Sequence, residues 1–418
     1  MAGTGKGTGK VAVRMYNVGF GDAFLVTVER AGTTWRMLVD CGVHAHGQAR
    51  PIREVVQAII ADLRAASAGG SAYLDVVVAT HHHADHISGF AVDDWEEVEV
   101  GEVWVPFVED PDDPDAVRLR RAHTLAAESL EATLSRFLAA DGDSPLLQAA
   151  QAFAVNSRGN ARATDRLLGR NGLGFAGKPV VRFLPHLDPR ENVVATPVPD
   201  TVVHVLGPSR DPKELKRMDP PAAEHWLQLA GGPAVEGERS SSLFGPAFVV
   251  ADGDVPEELR EAVHRLRLDD VGLEETLLAA SGVLENAVNN TSVFFVLDVA
   301  GTRLLFPGDA QQGAWDHVLD DPVSRALVTD ARFYKIGHHG SHNATPRRFV
   351  EEVLQEGCEA MLPWGLVERW QETIPKAELL AGLAERHHRI TRADAPVAVR
   401  GRVAVHGDLW SEVRLRTA

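Results

Sequence analysis

The sequence predicts an α/β protein, a strand-rich scaffold carrying helical insertions. Three observations point there. β-type runs cluster near both ends of the chain, helix-period segments dominate the middle, and a histidine-rich segment follows directly on one of the β runs. Alternating or continuous apolar runs of about four to eight residues read as strands, and apolar residues at helical spacing read as helices.

Residues 11–16 and 24–29 are expected as strands around the turn Asn17-Val-Gly-Phe-Gly-Asp22, and 35–39 as a third strand ending at Asp40-Cys41-Gly42. Residues 51–66 carry Ile52, Val55, Val56, Ile59, Ile60 and Leu63 at helical spacing. Residues 74–79 form a β-rich run, and 98–105 another. An acidic, Pro-rich piece, Glu109 to Asp115, then opens a long helical pattern with Leu125, Leu130, Leu134 and Phe137 on one face. Residues 202–206 read as a strand closed by Gly207-Pro208, and 257–267 and 272–283 as helices. Strand signal resumes at 292–299, 302–306, 331–336 and 360–363; a helix at 376–387 and strands at 396–406 and 410–416 finish the chain. Residues 1–10, built of Gly, Thr and Lys after Met1-Ala2, read as a flexible tail. The expected organisation is a single domain over 11–418, interrupted by insertions at about 106–200 and 209–285.

The chain has 418 residues and a formal net charge of −17, from 42 Lys+Arg against 59 Asp+Glu. That balance disfavours a protein that coats nucleic acid or an anionic membrane through bulk charge. No apolar run reaches the length of a membrane span, roughly 18 residues, and no apolar leader is visible at the start, so a cytoplasmic location is expected. The two cysteines, Cys41 and Cys358, exclude a disulfide framework and a Cys-rich zinc module.

Chemistry concentrates in His81-His82-His83-Ala84-Asp85-His86, directly after the 74–79 run. Imidazole and carboxylate suit zinc, manganese or iron. His81 and His83 are two residues apart and project to one side of an extended stretch. Asp85 and His86 lie just beyond, where a turn can aim them at a second point. One short loop can thus supply parts of two adjacent metal sites. His82 is expected to point away from them.

The pattern His81-x-His83-x-Asp85-His86 resembles the HxHxDH motif of the metallo-β-lactamase fold hydrolases. Further blocks follow in that superfamily's order. Asn17 to Asp22 is similar to the NVGQGD block of the branch that includes the soluble domain of the DNA-uptake protein ComEC. Leu38-Val-Asp40-Cys-Gly42, Phe306-Pro-Gly-Asp309 and Lys335-Ile-Gly-His-His-Gly-Ser341 resemble its later blocks. The resemblance covers most of 11–105 and 290–345. It implies a four-layer αββα sandwich and two divalent ions, zinc or manganese. It assigns the ligands His81, His83, Asp85, His86, Asp309 and His338, with Asp309 bridging the ions through its two oxygens. His339 stays open as the ligand in place of His338, and otherwise as a substrate contact or proton donor. Asp40 is expected to hold a ligand imidazole or a metal-bound water. Asp85, Asp40, His339 and Lys335 are the expected catalytic set; Lys335, Ser341 and His342 are the expected phosphate contacts.

One departure concerns the third histidine that many members place on the first metal. Here that position reads Val288-Asn-Asn-Thr-Ser-Val293. An amide or hydroxyl from Asn290 or Ser292 is left to meet the first ion or the substrate, which implies weaker binding there. Another is Trp370-Gln-Glu-Thr-Ile-Pro375, which lacks a histidine of the ComEC-like branch.

The implied reaction is hydrolysis by a metal-bridging hydroxide, foremost of a phosphodiester in a nucleotide or nucleic acid. Carbon esters, lactones and thioesters are the alternative substrates, and a metal-bearing scaffold binding a protein partner through the insertions is a third reading. Arg118, Arg120, Arg121, Arg158, Arg162, Arg166, Arg170 and Lys178 could form a local basic groove, although such runs are more often solvated faces. His44 and His46 could line the cleft. His123 and the other isolated histidines read as ordinary residues.

Overall fold

The computed structural model describes residues 9–45, 47–67, 69–140, 144, 147, 148, 150, 151, 160–218, 277, 280, 281, 283, 284, 286–367 and 374–417. The expected helix at 257–267, most of that at 272–283, most of the N-terminal tail, His46, Arg158 and Trp370 lie outside them.

Two mixed sheets form the scaffold. β1 (Lys10–Tyr16), β2 (Ala23–Arg30), β3 (Thr33–Cys41), β4 (Tyr73–Val78), β5 (Glu99–Pro106) and β6 (Val180–Leu184) belong to the first. β7 (Val193–Ala195), β8 (Thr201–Gly207), β9 (Phe294–Val299), β10 (Thr302–Phe306), β11 (Ala331–Lys335), β12 (Glu359–Leu362) and β13 (Arg389–Arg392) make the second. The chain then returns to the first sheet with β14 (Val403–His406) and β15 (Trp410–Arg416), giving the order β14-β15-β1-β2-β3-β4-β5-β6 against β13-β12-β11-β10-β9-β8-β7. In each sheet one half is antiparallel and the other parallel; β3 to β6 and β10 to β13 are the parallel halves.

The strands alternate because each sheet buries one face against the other. Val13, Phe24, Met37 and Val76 of the first sheet share a core with Phe295, Leu297, Leu304 and Phe306 of the second. Each such side chain contributes roughly 1.5–3 kcal/mol on burial. The outer faces are buried too, which is why β4 reads as a nearly continuous apolar run. On the first sheet, α1 (Ile52–Ala65) packs Val55, Val56, Ile59, Ile60 and Leu63 inward, with Glu54 in its first turn and Arg64 in its last, matching the helix dipole. Beyond α1 come α2 (Ala84–Ile87), α3 (Pro114–Ala140), α4 (Ala161–Leu167) and α5 (Pro212–Leu215). α6 (Gln312–Asp320), α7 (Pro322–Thr329) and α8 (Ala377–Glu385) follow, placing Trp315, Val318, Val328 and Leu379 in the core on the outer face of the second sheet.

α3 starts where Asp113 accepts hydrogen bonds from the Asp115 and Ala116 N–H groups, the ordinary way to satisfy a helix start. Its expected apolar face is only partly realised: Leu130 and Leu134 are buried, while Leu125 is 57% exposed. β6 and β7 fall inside the stretch read as an insertion at 106–200, yet each extends a sheet at its edge. Among the described residues no helix is long and apolar enough to cross a membrane.

The parallel halves decide where chemistry collects. The C-terminal ends of β3, β4, β10, β11 and β12 lead into Asp40, the histidine segment, Asp309, the 338–339 pair and Pro363. Open α/β sheets characteristically bind ligands at this edge. Gly42, just past β3, lets the first of these ends sit against the histidine segment. A Cβ there would meet Ala84 O and His86 N at 2.5 Å. We therefore expect Gly42→Ala to destabilise the fold by about 1–3 kcal/mol and to weaken metal binding, measured as a lower denaturation midpoint together with a lower metal content.

Candidate metal centre

The segment Thr80 to His83 leaves β4 extended, and α2 then turns Asp85 and His86 inward. His81, His83, Asp85 and His86 are all buried. His81 Nε2 and His83 Nδ1 face one another at 3.1 Å. The other nitrogen of His81, Nδ1, lies 3.2 Å from both the Thr80 and the Ser292 hydroxyls, which hold the ring in place. His82 turns away, as expected, and its Nδ1 pairs with Glu109 at 2.9 Å.

Asp85, His86, Asp309 and His339 bring one ligand atom each within 4.8 Å of one another, all buried. His86 Nε2 stands 3.0 Å from Asp309 Oδ2 and 3.8 Å from Asp85 Oδ2. His86 Nδ1 donates to Asp40 Oδ2 at 2.8 Å. Asp40 is itself held by the Thr80 N–H and hydroxyl, both at 2.7 Å. Asp40 thus orients the His86 imidazole.

His339 Nε2 lies 3.1 Å from Asp85 Oδ2, and its Nδ1 donates to the Pro363 carbonyl at 2.7 Å. Of the two histidines left open by the sequence, the structure therefore brings His339 into the candidate ligand group. The cause is a tight turn. His338 and His339 both take left-handed backbone angles, φ +44° and +51°, and the following Gly340 has φ +80°. The two ring centroids lie 6.3 Å apart: His338 Nδ1 meets Asn343 Oδ1 at 3.3 Å, while its backbone N–H donates to Asp309 Oδ1 at 2.9 Å. Strained angles of this kind cluster at functional sites.

Lys335 is also placed differently from the expectation of a phosphate contact. It is 2% exposed. Its Nζ lies 2.5 Å from Asp22 Oδ2, 2.9 Å from Asp309 Oδ1 and 3.1 Å from the Gly308 carbonyl, three acceptors for its three N–H groups. Asp309 Oδ1 is occupied by Lys335 and the His338 N–H. Only Oδ2 faces the ligand group, so the expected bridge through both oxygens is not what this geometry offers. Gly308, at φ +60°, makes room for that turn; a Cβ would meet Ser292 Cβ at 2.7 Å.

The remaining expected contacts are drawn elsewhere. Asn290 is fully buried: its amide donates to the Glu214, Leu215 and Arg217 carbonyls, and its Oδ1 accepts from Gln311 N and Ala314 N. It ties α5 to α6 rather than touching a ligand. Ser292 holds His81 and accepts the Asp309 N–H at 3.1 Å, so it acts through two site residues. Ser341 is buried with its hydroxyl on Asn343 at 3.1 Å, and His342 is half-buried beside it. Three members of the expected basic groove are held in local pairs: Arg118 with Asp115, and Arg162 and the fully buried Arg166 with Asp93. Cys41 is a packed thiol, which burial makes hard to ionise.

Asp22 was read only as a turn residue. It closes the site from the opposite side, beside Lys335 and with its backbone N–H on Asp85 O at 2.9 Å. Thr80, Phe20 and Pro363 were missed as well; Phe20 packs its ring 4.0 Å from that of His339. Position after a strand end is the signal that could have found Thr80 and Pro363.

No known family model matches the chain, and no curated protein matches it.

The donor set fits a divalent cation. Two buried polar atoms of the site residues, His83 Nε2 and Asp85 Oδ1, have no hydrogen-bond partner among the described residues, which native structures rarely tolerate without an ion or water. Burial, with His86 and His83 nearby, keeps His81 neutral, and burial pushes His83 down to about 3. Burial opposes charge on Asp85 and Asp309, but His86 in both cases, with His339 or Lys335, holds them well below the usual range. Burial also opposes charge on His86, and Asp309, Asp22, Asp40 and Asp85 outweigh it; His339 is raised likewise, chiefly by Asp85. Without metal, this environment favours the protonated form of both His86 and His339, and a cation has to displace those protons. Metal affinity should rise with pH through these raised values, and titration calorimetry in buffers of different ionisation enthalpy should detect proton release. Uptake, or no exchange, contradicts this. His339→Ala should weaken the tightest metal site beyond the roughly 10–100-fold cost of losing a supporting residue, while His338→Ala leaves it nearly intact, read by competition with a chelating dye.

Proposed function

We propose that the chain is a divalent-metal-dependent hydrolase whose two-sheet scaffold is the four-layer αββα sandwich of the metallo-β-lactamase superfamily. The observation that carries this reading is the convergence of Asp85, His86, Asp309 and His339 at the strand ends, beside the facing nitrogens of His81 and His83. Asp85, His86, Asp309 and His339 would hold one ion, and His81 and His83 would supply imidazoles to a second, less richly liganded one. Zinc and manganese both suit this chemistry.

When bound, such a pair of ions supplies hydroxide at neutral pH and neutralises negative charge developing on the attacked group. The chain's own residues prepare that centre. Asp40 and Pro363 fix the tautomers of His86 and His339, and the Thr80 and Ser292 hydroxyls hold the ring of His81. Lys335 locks Asp309 in one orientation. The buried ring of Phe20 keeps water from one side of His339.

A small phosphodiester is the first substrate class, on the motif resemblance. A carbon ester, lactone or thioester is the second, favoured by the withdrawal of Lys335 and the pairing of Arg118, Arg162 and Arg166, which leave less to grip a polyanion. Purified protein reconstituted with manganese or zinc should hydrolyse bis-p-nitrophenyl phosphate, or else members of a lactone and thioester panel, and Asp309→Ala should abolish either activity with the fold retained. Full metal occupancy without turnover on any substrate would sink the enzyme reading in favour of a scaffold that binds a protein partner.

A further inference from the structure

Asp22 is a carboxylate kept inside the fold at a cost. It is buried, and its Oδ1 has no hydrogen-bond partner among the described residues. It lies outside the group Asp85, His86, Asp309 and His339. Two imidazole nitrogens, His86 Nδ1 and His339 Nδ1, each stand 3.7 Å from its carboxylate, too far to donate a good hydrogen bond. Both donate elsewhere, to Asp40 and to the Pro363 carbonyl. The close partner of Asp22 is the Lys335 ammonium, 2.5 Å from Oδ2. Buried carboxylate oxygens are rarely left without hydrogen bonds, so one that is points to a use for the charge itself.

The same ammonium bears on Asp309. Lys335 Nζ is 2.9 Å from Asp309 Oδ1, while Asp309 Oδ2 is the oxygen that faces His86, at 3.0 Å. A metal ion at Oδ2 and the ammonium at Oδ1 would compete for one negative charge, in a buried setting where charges interact strongly. Asp22 gives the ammonium a carboxylate of its own. Once Asp22 and Lys335 cancel, the charges of Asp40, Asp85 and Asp309 remain for the cations. Asp22 stands just before β2 and Lys335 ends β11, so the two sheets make this pair only when they meet.

We propose that Asp22 is a positioning residue of the metal centre that acts through Lys335: it neutralises the ammonium and so leaves the charge of Asp309 to the metal ion. The proposal rests on the centre binding a cation, and not on what is hydrolysed there.

The test is a double-substitution cycle on the full chain, with zinc and manganese affinities measured by competition with a chelating dye. Asp22→Asn keeps the size of the side chain and removes its charge. With Lys335 present, it should weaken the tightest site about tenfold, the lower end of the cost of losing a supporting residue at a metal site. In the Lys335→Met background no ammonium is left to release. There the same substitution should move affinity by no more than about twofold, the scatter of uncoupled sites. The double variant should therefore recover the affinity that Asp22→Asn loses, a rescue that a merely structural defect at Asp22 would not show. Unchanged affinity in Asp22→Asn overturns the proposal. So does an equal loss in both backgrounds, because Asp22 would then act without Lys335. Replacing both members of a buried ion pair by uncharged residues is often tolerated. If Asp22→Asn alone fails to fold by circular dichroism, Lys335→Met is compared with the double variant: a difference beyond the twofold margin overturns the proposal, and a smaller one supports it. A chain that takes up neither zinc nor manganese overturns this proposal together with the metal-dependent reading. A chain that takes them up but hydrolyses nothing sinks the hydrolase reading alone, and the cycle still decides the role of Asp22.

Discussion

A chain of five buried charged groups, Asp22, Lys335, Asp309, His86 and Asp40, crosses from one sheet to the other and back. Asp22, Asp40 and His86 come from the loops and strand ends of the first sheet, and Lys335 and Asp309 from the second. Each link is 3.0 Å or shorter. Isolated charges in such a setting are expensive, and removing one member of a buried pair costs about 3–5 kcal/mol because its partner is left uncompensated. The two sheets are therefore held in register at this edge by electrostatics, while the apolar core between them supplies non-directional adhesion. The ligand geometry depends on that registration, because His86 and Asp309 reach the centre from opposite sheets.

The scaffold was largely legible. Strands β1, β2, β3, β4, β8, β10 and β15 were expected within a residue or two at each end, since they are buried on at least one face and carry dense Val, Ile, Leu and Phe. The missed strands lie at edges. β6 has a mostly half-exposed pattern and β13 only four residues with two arginines, so neither carries a clear apolar period. β7, three residues long, is too short to show one. α6 and α7 were missed because Asp321-Pro322 interrupts them, Asp321 ending one helix and capping the next. Leu125 was placed on a buried face by spacing alone, which cannot say whether anything packs there.

The site divides along a physical line. His81, His83, Asp85 and His86 are local: one loop carries them, and its spacing dictates where they point. His339 could not be separated from His338 by pattern, because the choice depends on two left-handed residues whose φ angles no composition reveals. Lys335 was misread for a related reason. A lysine beside a histidine pair looks available, and only the tertiary meeting of Asp22 and Asp309 around it shows that its charge is consumed internally. Asp22 was undervalued because its partner is more than three hundred residues away in sequence.

The net charge of −17 takes on a different meaning in this light. Carboxylates of the surface capture arginines that could otherwise have gathered at the cleft, as Asp93 does with Arg162 and Arg166. Carboxylates of the centre capture Lys335. The formal charge is therefore no guide to the potential at the centre: there Lys335 is shared between Asp22 and Asp309, and His86 between Asp309 and Asp40, so carboxylates and cations are matched group by group.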